Sequence, residues 1–410
     1  MNTRINLARL MSDLEALGKI GRDSRGGLTR PSFSRADLEA RAWFKDKIES
    51  AGLTYRADGA GNLFGRLEGA TPGKTVMAGS HLDTVVNGGM YDGAAGVLAA
   101  LECLRTIREE GLRLRLPLEV AAFTDEEGNL SGDFLGSRAF VGTLDRDLLE
   151  KQMTSFGVPL TEVLKATPYT LETIFAAAGQ APEIEAFLEL HIEQGSTLDT
   201  EEIPIGIVED INGKHYRGCS FEGEAGHAGT VPLELRRDAF LGLADFALRA
   251  TRHVAARHYG SFVTIGKVQV HPGAFSIIPD KVDFSLDFRS KSRETMAALE
   301  KELIEIADDV AATRGLAFRS RLMDRTDPYH VPERLTSILR EEADRFGYAS
   351  QSLGSGAGHD AQILAAKTDT AMIFVPSPDG VSHSPGESLR REDLEKGANV
   401  LLAALLRLAS

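Results

Sequence analysis

The sequence predicts an α/β protein, a mostly parallel-sheet catalytic domain carrying an inserted ferredoxin-like (βαββαβ) domain. Three observations predict it. Apolar strand-like runs alternate with helical periodicity through the first half of the chain, as in strand–helix–strand units. Polar residues fall where those strands end, which is where parallel sheets gather ligands. From about residue 214 the pattern changes, and it resumes near residue 328. A length of 410 residues also exceeds one ordinary core. The expected division is therefore 1–213 with 328–410 as one discontinuous domain and 214–327 as the insert.

The elements can be justified in order. Residues 1–20, MNTRINLARLMSDLEALGKI, alternate charge and leucine like an amphipathic helix, without the apolar run of a signal peptide. Residues 35–51 read as a helix, and TYRADGAGNLFGRLEG as two short strands around a DGAGN turn. KTVMAGSHLD is a buried strand, AAGVLAALECLRTIREEG a helix, and LPLEVAAFTDEEG a strand ending in acids. IEAFLELHIEQG (184–195) fits either helix or strand. In the insert, KHYRGCSFEGE leads to a helix over about 234–259, then the strands SFVTIGKVQVHPG and KVDFSLDFRS, a helix over 291–314 and the strand LAFRSRLMD, giving βαββαβ. A helix, the GSGAGHDA turn, the strand TAMIFVP and a C-terminal helix complete the chain.

Bulk properties narrow the function. A formal net charge of −14 argues against nucleic acid or an anionic membrane as partner. No run of about 18 apolar residues suggests a membrane span, so the expected location is cytoplasmic. Cys103 and Cys219 match no ligand spacing, which excludes a cysteine metal knuckle and predicts two buried thiols.

His81, Asp83, Asp92, Glu126, Glu127, His191 and His383 sit at strand ends and loops. Imidazoles and carboxylates without thiolates suit zinc or a similar divalent metal. More acids than one ion needs point to two ions sharing a carboxylate, with a spare carboxylate to move protons. Glu126 and Glu127 are neighbours, so a bend is needed to aim both at one place.

GSHLDTV, YDGAAGV, TDEEG, LHIEQG, GHAGTVPLELRRDA, SGAGHDA and FVPSPDGVSHSPGE, in this order from about residue 60 to the C-terminus, resemble the di-zinc aminoacylase–carboxypeptidase family. The resemblance is strongest to its branch of N-carbamoyl-L-amino acid, allantoate and ureidoglycolate amidohydrolases. It implies that His81, Asp92, Glu127, His191 and His383 hold two divalent ions (zinc, or manganese, cobalt or nickel), with Asp92 bridging. It makes Glu126 the general base and gives Asp83 the task of orienting His81. It assigns oxyanion stabilisation to His227, reaching the partner's site in a homodimer, and capture of a substrate carboxylate to Arg289. Gln194 and the segment Gly356, Ala357 and Gly358 would line the pocket, and the insert would be a lid and dimer interface.

The branch usually carries asparagine in a segment like PGAFSIIP, where Ser276 stands here, and some relatives carry another where Gly273 stands. The implied activity is hydrolysis of a linear amide or ureido bond in a small carboxylate, foremost an N-carbamoyl-L-amino acid. Allantoate, ureidoglycolate and N-acyl amino acid or dipeptide substrates are the alternatives, and a catalytically dead binding protein on the same fold is the reading from another class. His253 and His258 are expected at the surface, His215, His271 and His330 have no partner the sequence names, His359 is expected behind the site, and the acids of 294–309 on a solvated helix face.

Overall fold

The computed structural model describes residues 3–410, which form two compact units, one of Asp210–Tyr329 with Gly356–Gly358 and one of the remaining segments. The first elements of the larger unit are α1 (Leu7–Leu17), α2 (Arg35–Ser50), β1 (Thr54–Ala57), β2 (Leu63–Leu67), β3 (Thr75–His81), α3 (Ala94–Glu109), β4 (Leu118–Phe123), α4 (Leu135–Val141), β5 (Ile184–Ile192) and β6 (Ile205–Ile211). Asn6 caps α1 and Ser34 caps α2, each accepting a backbone N–H one turn on.

The smaller unit is built from β7 (Gly213–Glu222), α5 (Ala239–Arg257), β8 (Phe262–Thr264), β9 (Val268–His271), β10 (Lys281–Ser290), α6 (Arg293–Arg314) and β11 (Ala317–Thr326). The chain then supplies the larger unit with α7 (Glu333–Arg345), β12 (Ser350–Ser355), α8 (Asp360–Leu364), β13 (Thr370–Val375) and α9 (Arg391–Ala409). The segment 184–192 is a strand, buried at every residue but Glu185, as the centre of a sheet covered on both faces requires.

The sheet of the larger unit runs β1-β2-β4-β3-β5-β13-β6, with β12 also paired to β6. Its centre is parallel: β3 pairs with β4 and β5, and β5 with β13. β1, β2 and β6 join antiparallel. Every residue of β3, β4 and β13 is buried, as a sheet covered on both faces requires. Registers His81↔Phe123 and Phe374↔His191 show that the central strands end at one edge of the sheet. The mixed α/β class and its mainly parallel sheet are as the sequence predicts.

In the smaller unit the antiparallel sheet runs β9-β10-β7-β11. β10 alternates buried and half-buried residues along its length, placing Val282, Phe284, Leu286 and Phe288 against α5 and α6. SFVTIGKVQVHPG, read as one strand, is two: β8 and β9 both pair with β10, separated at residues 265–267 around Gly266. β12 escapes a sequence reading because SQSLGS has no apolar alternation and one bulky apolar residue, Leu353. Cys103 and Cys219 are free, buried thiols. Among the described residues no helix is long and apolar enough to cross a membrane.

Close approach of helix and sheet fixes the start of α3. A Cβ on Gly96 would lie 2.1 Å from the carbonyl oxygen of Leu190 on β5. Replacing Gly96 by valine should therefore push α3 off the sheet and destabilise the protein by at least about 2 kcal/mol. Urea unfolding checks this, and a midpoint equal to wild type would contradict the packing.

Candidate metal centre

Four loops leaving the C-terminal ends of β3, β4, β5 and β13 converge on one buried cluster. β3 delivers His81 as its last residue, and the loop after it delivers Asp83 and, at the entrance to α3, Asp92. β4 ends at Phe123, after which Asp125 takes a left-handed φ of 58°. That is the bend which lets the neighbours Glu126 and Glu127 both face the cluster. Gln194 and His383 also sit at positive φ, 58° and 53°. Three non-glycine residues in this region cost about 1–3 kcal/mol each, and such strain collects at functional sites.

Asp92 is the centre of the arrangement. Its Oδ1 lies 3.1 Å from His191 Nε2 and 3.4 Å from His81 Nε2, while its Oδ2 lies 3.2 Å from His383 Nε2. Glu127 Oε2 is 3.6 Å from His383 Nε2, and Glu126 Oε2 is 3.6 Å from His81 Nε2. Two donor groups thus share one carboxylate: His81, Asp92 and His191 on one side, Asp92, Glu127 and His383 on the other. His81 and His191 are buried, whereas the His383 side chain is 51% exposed and faces the open side.

These separations test whether a divalent cation fits. Ligand atoms about 2.0–2.2 Å from a tetrahedral ion lie about 3.3–3.6 Å from one another. Most of the contacts around Asp92 are near that edge length and longer than a strong ion-pair hydrogen bond of about 2.8 Å. The outer nitrogens are already engaged. His81 Nδ1 donates to the backbone oxygen of Asp83 at 3.1 Å and His191 Nδ1 to that of Ile192 at 2.9 Å, leaving both Nε2 lone pairs inward. Gly93, at φ 61°, follows Asp92, and a Cβ there would lie 2.4 Å from His81 Nε2.

The electrostatics agree. Burial works against the Asp92 carboxylate, yet His191, His383 and His81 hold it well below the usual carboxylate range. Burial and Asp92 push Glu127 up to about 8. Burial, opposed by His81 and reinforced by Glu127, pushes Glu126 well above its ordinary value. The bond to Asp92 raises His383 to about 9. A buried cluster this rich in carboxylates demands positive charge, which a divalent ion meets directly. The donor set fits metal.

Asp83 does something other than expected. Its carboxylate is 3.9 Å from His81 Nδ1, too far for a hydrogen bond, and instead accepts the backbone N–H groups of Glu126 and Glu127 at 3.4 and 3.3 Å. Its backbone carbonyl orients His81, while its side chain anchors the turn that carries both glutamates. Gln194 donates from Nε2 to Asp92 Oδ2 at 2.8 Å, and its buried Oε1 has no hydrogen-bond partner.

The substrate-binding candidates form two groups in the smaller unit. His227 pairs with Ile277, beside Ser276, whose carbonyl accepts from Ala228 N at 2.9 Å. His227 Nδ1 accepts from Gly229 N at 3.1 Å, which leaves the proton of the neutral ring on Nε2. Arg289 is held by Asp287 at 2.9 Å and donates from Nη1 to the Gly356 carbonyl at 3.1 Å, joining the segment of Ala357 and Gly358.

Several residues escaped the sequence reading. Glu387 accepts from the backbone N–H of Tyr91 and of Asp92 at 2.8 and 3.1 Å, and Ser382 Oγ lies between Glu387 and Asp92. Its position four residues after His383 in SHSPGE was the available signal. Buried Glu189, two residues before His191 on the same strand face, accepts from Ser80 and from Ala361 N. His359, expected behind the site, packs its ring edge on His191, centroids 4.8 Å apart, with Nε2 2.8 Å from Ser355 Oγ. The acids of 294–309 are not simply a solvated face. Glu300 pairs with His215 and Arg217, Asp309 with Arg249, and Glu302 with His253 and His258. Partners several elements away in sequence leave no local signal.

Residues 77–407 match the model of peptidase family M20/M25/M40. The chain is 38% identical over 404 residues to an N-carbamoyl-L-amino acid amidohydrolase of Geobacillus stearothermophilus, covering 98% of both chains. It is 34% identical over 400 residues to an allantoate amidohydrolase of Escherichia coli, covering 96% of both. A crystal structure of a hydantoinase/carbamoylase family amidase from Burkholderia vietnamiensis superposes with a TM-score of 0.88 at 33% identity, over 100% of this chain and 99% of that one.

The clearance at Gly93 gives a direct check on the centre. Gly93→Ala should displace the His81 ring and weaken metal binding by about tenfold or more. Titration against a competing chelator measures this, and unchanged affinity would contradict the geometry.

Proposed function

We propose, from the premise that the chain belongs to peptidase family M20/M25/M40, that its substrate is an N-carbamoyl-L-amino acid. The chain is a metal-dependent amidohydrolase acting on carbon–nitrogen bonds other than peptide bonds. The observation that carries the proposal is Asp92, whose two oxygens serve two separate histidine-containing donor groups. In this reading His81, Asp92 and His191 hold one divalent ion and Asp92, Glu127 and His383 a second, with zinc best suited to the imidazole and carboxylate donors. Such a pair, when bound, polarises a carbonyl and acidifies water.

The protein groups do the rest. Glu126 takes a proton from the attacking water and passes it to the departing nitrogen. Burial, opposed by His81 and reinforced by Glu127, raises its proton affinity, which suits a carboxylate that carries a proton from water to the leaving nitrogen. Gln194 keeps Asp92 in place with its amide nitrogen and offers its unpartnered oxygen to a carbamoyl N–H. Asp83 fixes the turn carrying Glu126. Water adds across the carbonyl–nitrogen bond, and the carbamic acid released breaks down, so the products are an amino acid, carbon dioxide and ammonia.

Arg289, with its plane set by Asp287, takes the substrate carboxylate, and His227 donates from Nε2 to the developing oxyanion. Ser276 and the Gly356–Gly358 segment complete the contacts. The smaller unit serves as lid and dimer interface, and its exposed Phe275, Leu233, Leu235 and Leu248 support a second copy as partner. The cytoplasm is the proposed location. Allantoate is the second reading, favoured by the similarity to the Escherichia coli enzyme.

Ammonia release from a panel of N-carbamoyl-L-amino acids, allantoate, ureidoglycolate and N-acyl amino acids tests the substrate. Turnover should be greatest on the N-carbamoyl-L-amino acids, and none on any ureido acid would overturn the proposal. Glu126→Gln should retain its metal and lose about 10²–10⁴-fold in kcat. Near-normal kcat would remove Glu126 from the role of base. Arg289→Lys should raise KM about tenfold or more with a smaller change in kcat, because a point charge replaces a planar fork.

A further inference from the structure

The smaller unit holds a second kind of histidine cluster. His253, near the end of α5, and His258, which caps that helix, both direct Nε2 at one oxygen of Glu302 on α6, each at 2.6 Å. The three donor atoms lie within 4.8 Å of one another, and the rings are tilted by 50° with centroids 5.8 Å apart. All three side chains are half-buried, so solvent reaches them.

We propose that His253, His258 and Glu302 form a separate binding site for a divalent cation of the zinc type, which clips the end of α5 to α6. Two imidazoles and one carboxylate are a zinc donor set, and the open face leaves room for water as the fourth ligand. The backbones beneath are fixed. Val254 and Leu303, each the next residue along, are buried in the core shared by the two helices. His258 N bonds to Val254 O at 2.9 Å, and Ser261 N to His258 O at 2.9 Å.

Little rearrangement is needed to load the site. The two bonds from the histidines hold the Glu302 carboxyl at about 2, so it is an anion at neutral pH. Each neutral imidazole moves its proton from Nε2 to Nδ1, exchanging one tautomer for the other without net proton release. The separations of 2.6 Å must open to about 3.3 Å, which the long Glu302 side chain accommodates.

The test counts zinc in the full-length protein. After equilibration with zinc sulfate and desalting, wild type should retain one more zinc per chain than the His253→Asn/His258→Asn double variant. Zinc should raise the thermal midpoint of an Asp92→Ala protein, in which the catalytic cluster is disabled, and this rise should vanish when His253→Asn is added. Hydrolytic activity of the double variant should match wild type. Equal zinc content in wild type and double variant would overturn the proposal, as would an extra zinc that survives the substitutions. Should the double variant fold poorly, Glu302→Gln alone should weaken that zinc by about tenfold or more, and unchanged affinity would again refute the site.

Discussion

A single buried carboxylate, Asp92, sets the terms for everything around it. Removing an ionised carboxylate from water costs several kcal/mol even after relaxation, so the fold has to answer it with positive charge and hydrogen bonds on every side. Three imidazoles, the Gln194 amide and the Ser382 hydroxyl meet its side chain, while Glu387 grips its backbone N–H from below. That last contact makes the demand sharper, since it adds a further buried acid. A cluster so unbalanced toward negative charge is stable only where cations belong.

The parallel sheet makes this concentration possible. Parallel strands end together, so His81 on β3, the turn after β4 and His191 on β5 come to one edge without long excursions. The connecting segments need not be floppy to reach it. Asp125, Gln194 and His383 instead turn sharply in a conformation that ordinary residues avoid, and Asp83 ties the glutamate turn to the loop after β3. Strain accepted at three positions is repaid by an arrangement whose donors stand near ligand spacing before any ion arrives.

Most of the fold was legible in the sequence because its signals are local. The apolar run of β3, the helical period of α3 and the alternation along β10 each declare themselves within a dozen residues. The candidate metal donors were legible as histidines and acids at strand ends, and the ordered motifs of the family resemblance gave each its expected role. What failed was anything decided by a distant partner. Asp83 was expected to brace His81 with its carboxylate, yet whether a side chain or a carbonyl faces a ring depends on a few degrees of backbone rotation. His253 and His258 looked like surface residues because Glu302 lies more than forty positions away. β12, with one bulky apolar residue, gave no period to read.

Recognition of the substrate shows the same limit from the other side. Arg289 stands out in DFRS only as a charge at a strand end. In the proposed role of anion receptor it depends on Asp287, which points to the same face of β10 because side chains repeat every second residue. The bonds from Nε and Nη2 to that carboxylate and from Nη1 to the Gly356 carbonyl define the plane of the guanidinium. An arginine so held loses little rotamer freedom when a second carboxylate arrives, whereas a mobile one would lose about 2 kcal/mol of it. Asp287 partly neutralises the charge that should attract the substrate, and in exchange it fixes the direction of the donors. Under the proposed function, a small, compact acid would be recognised by the direction of those donors more than by their net charge.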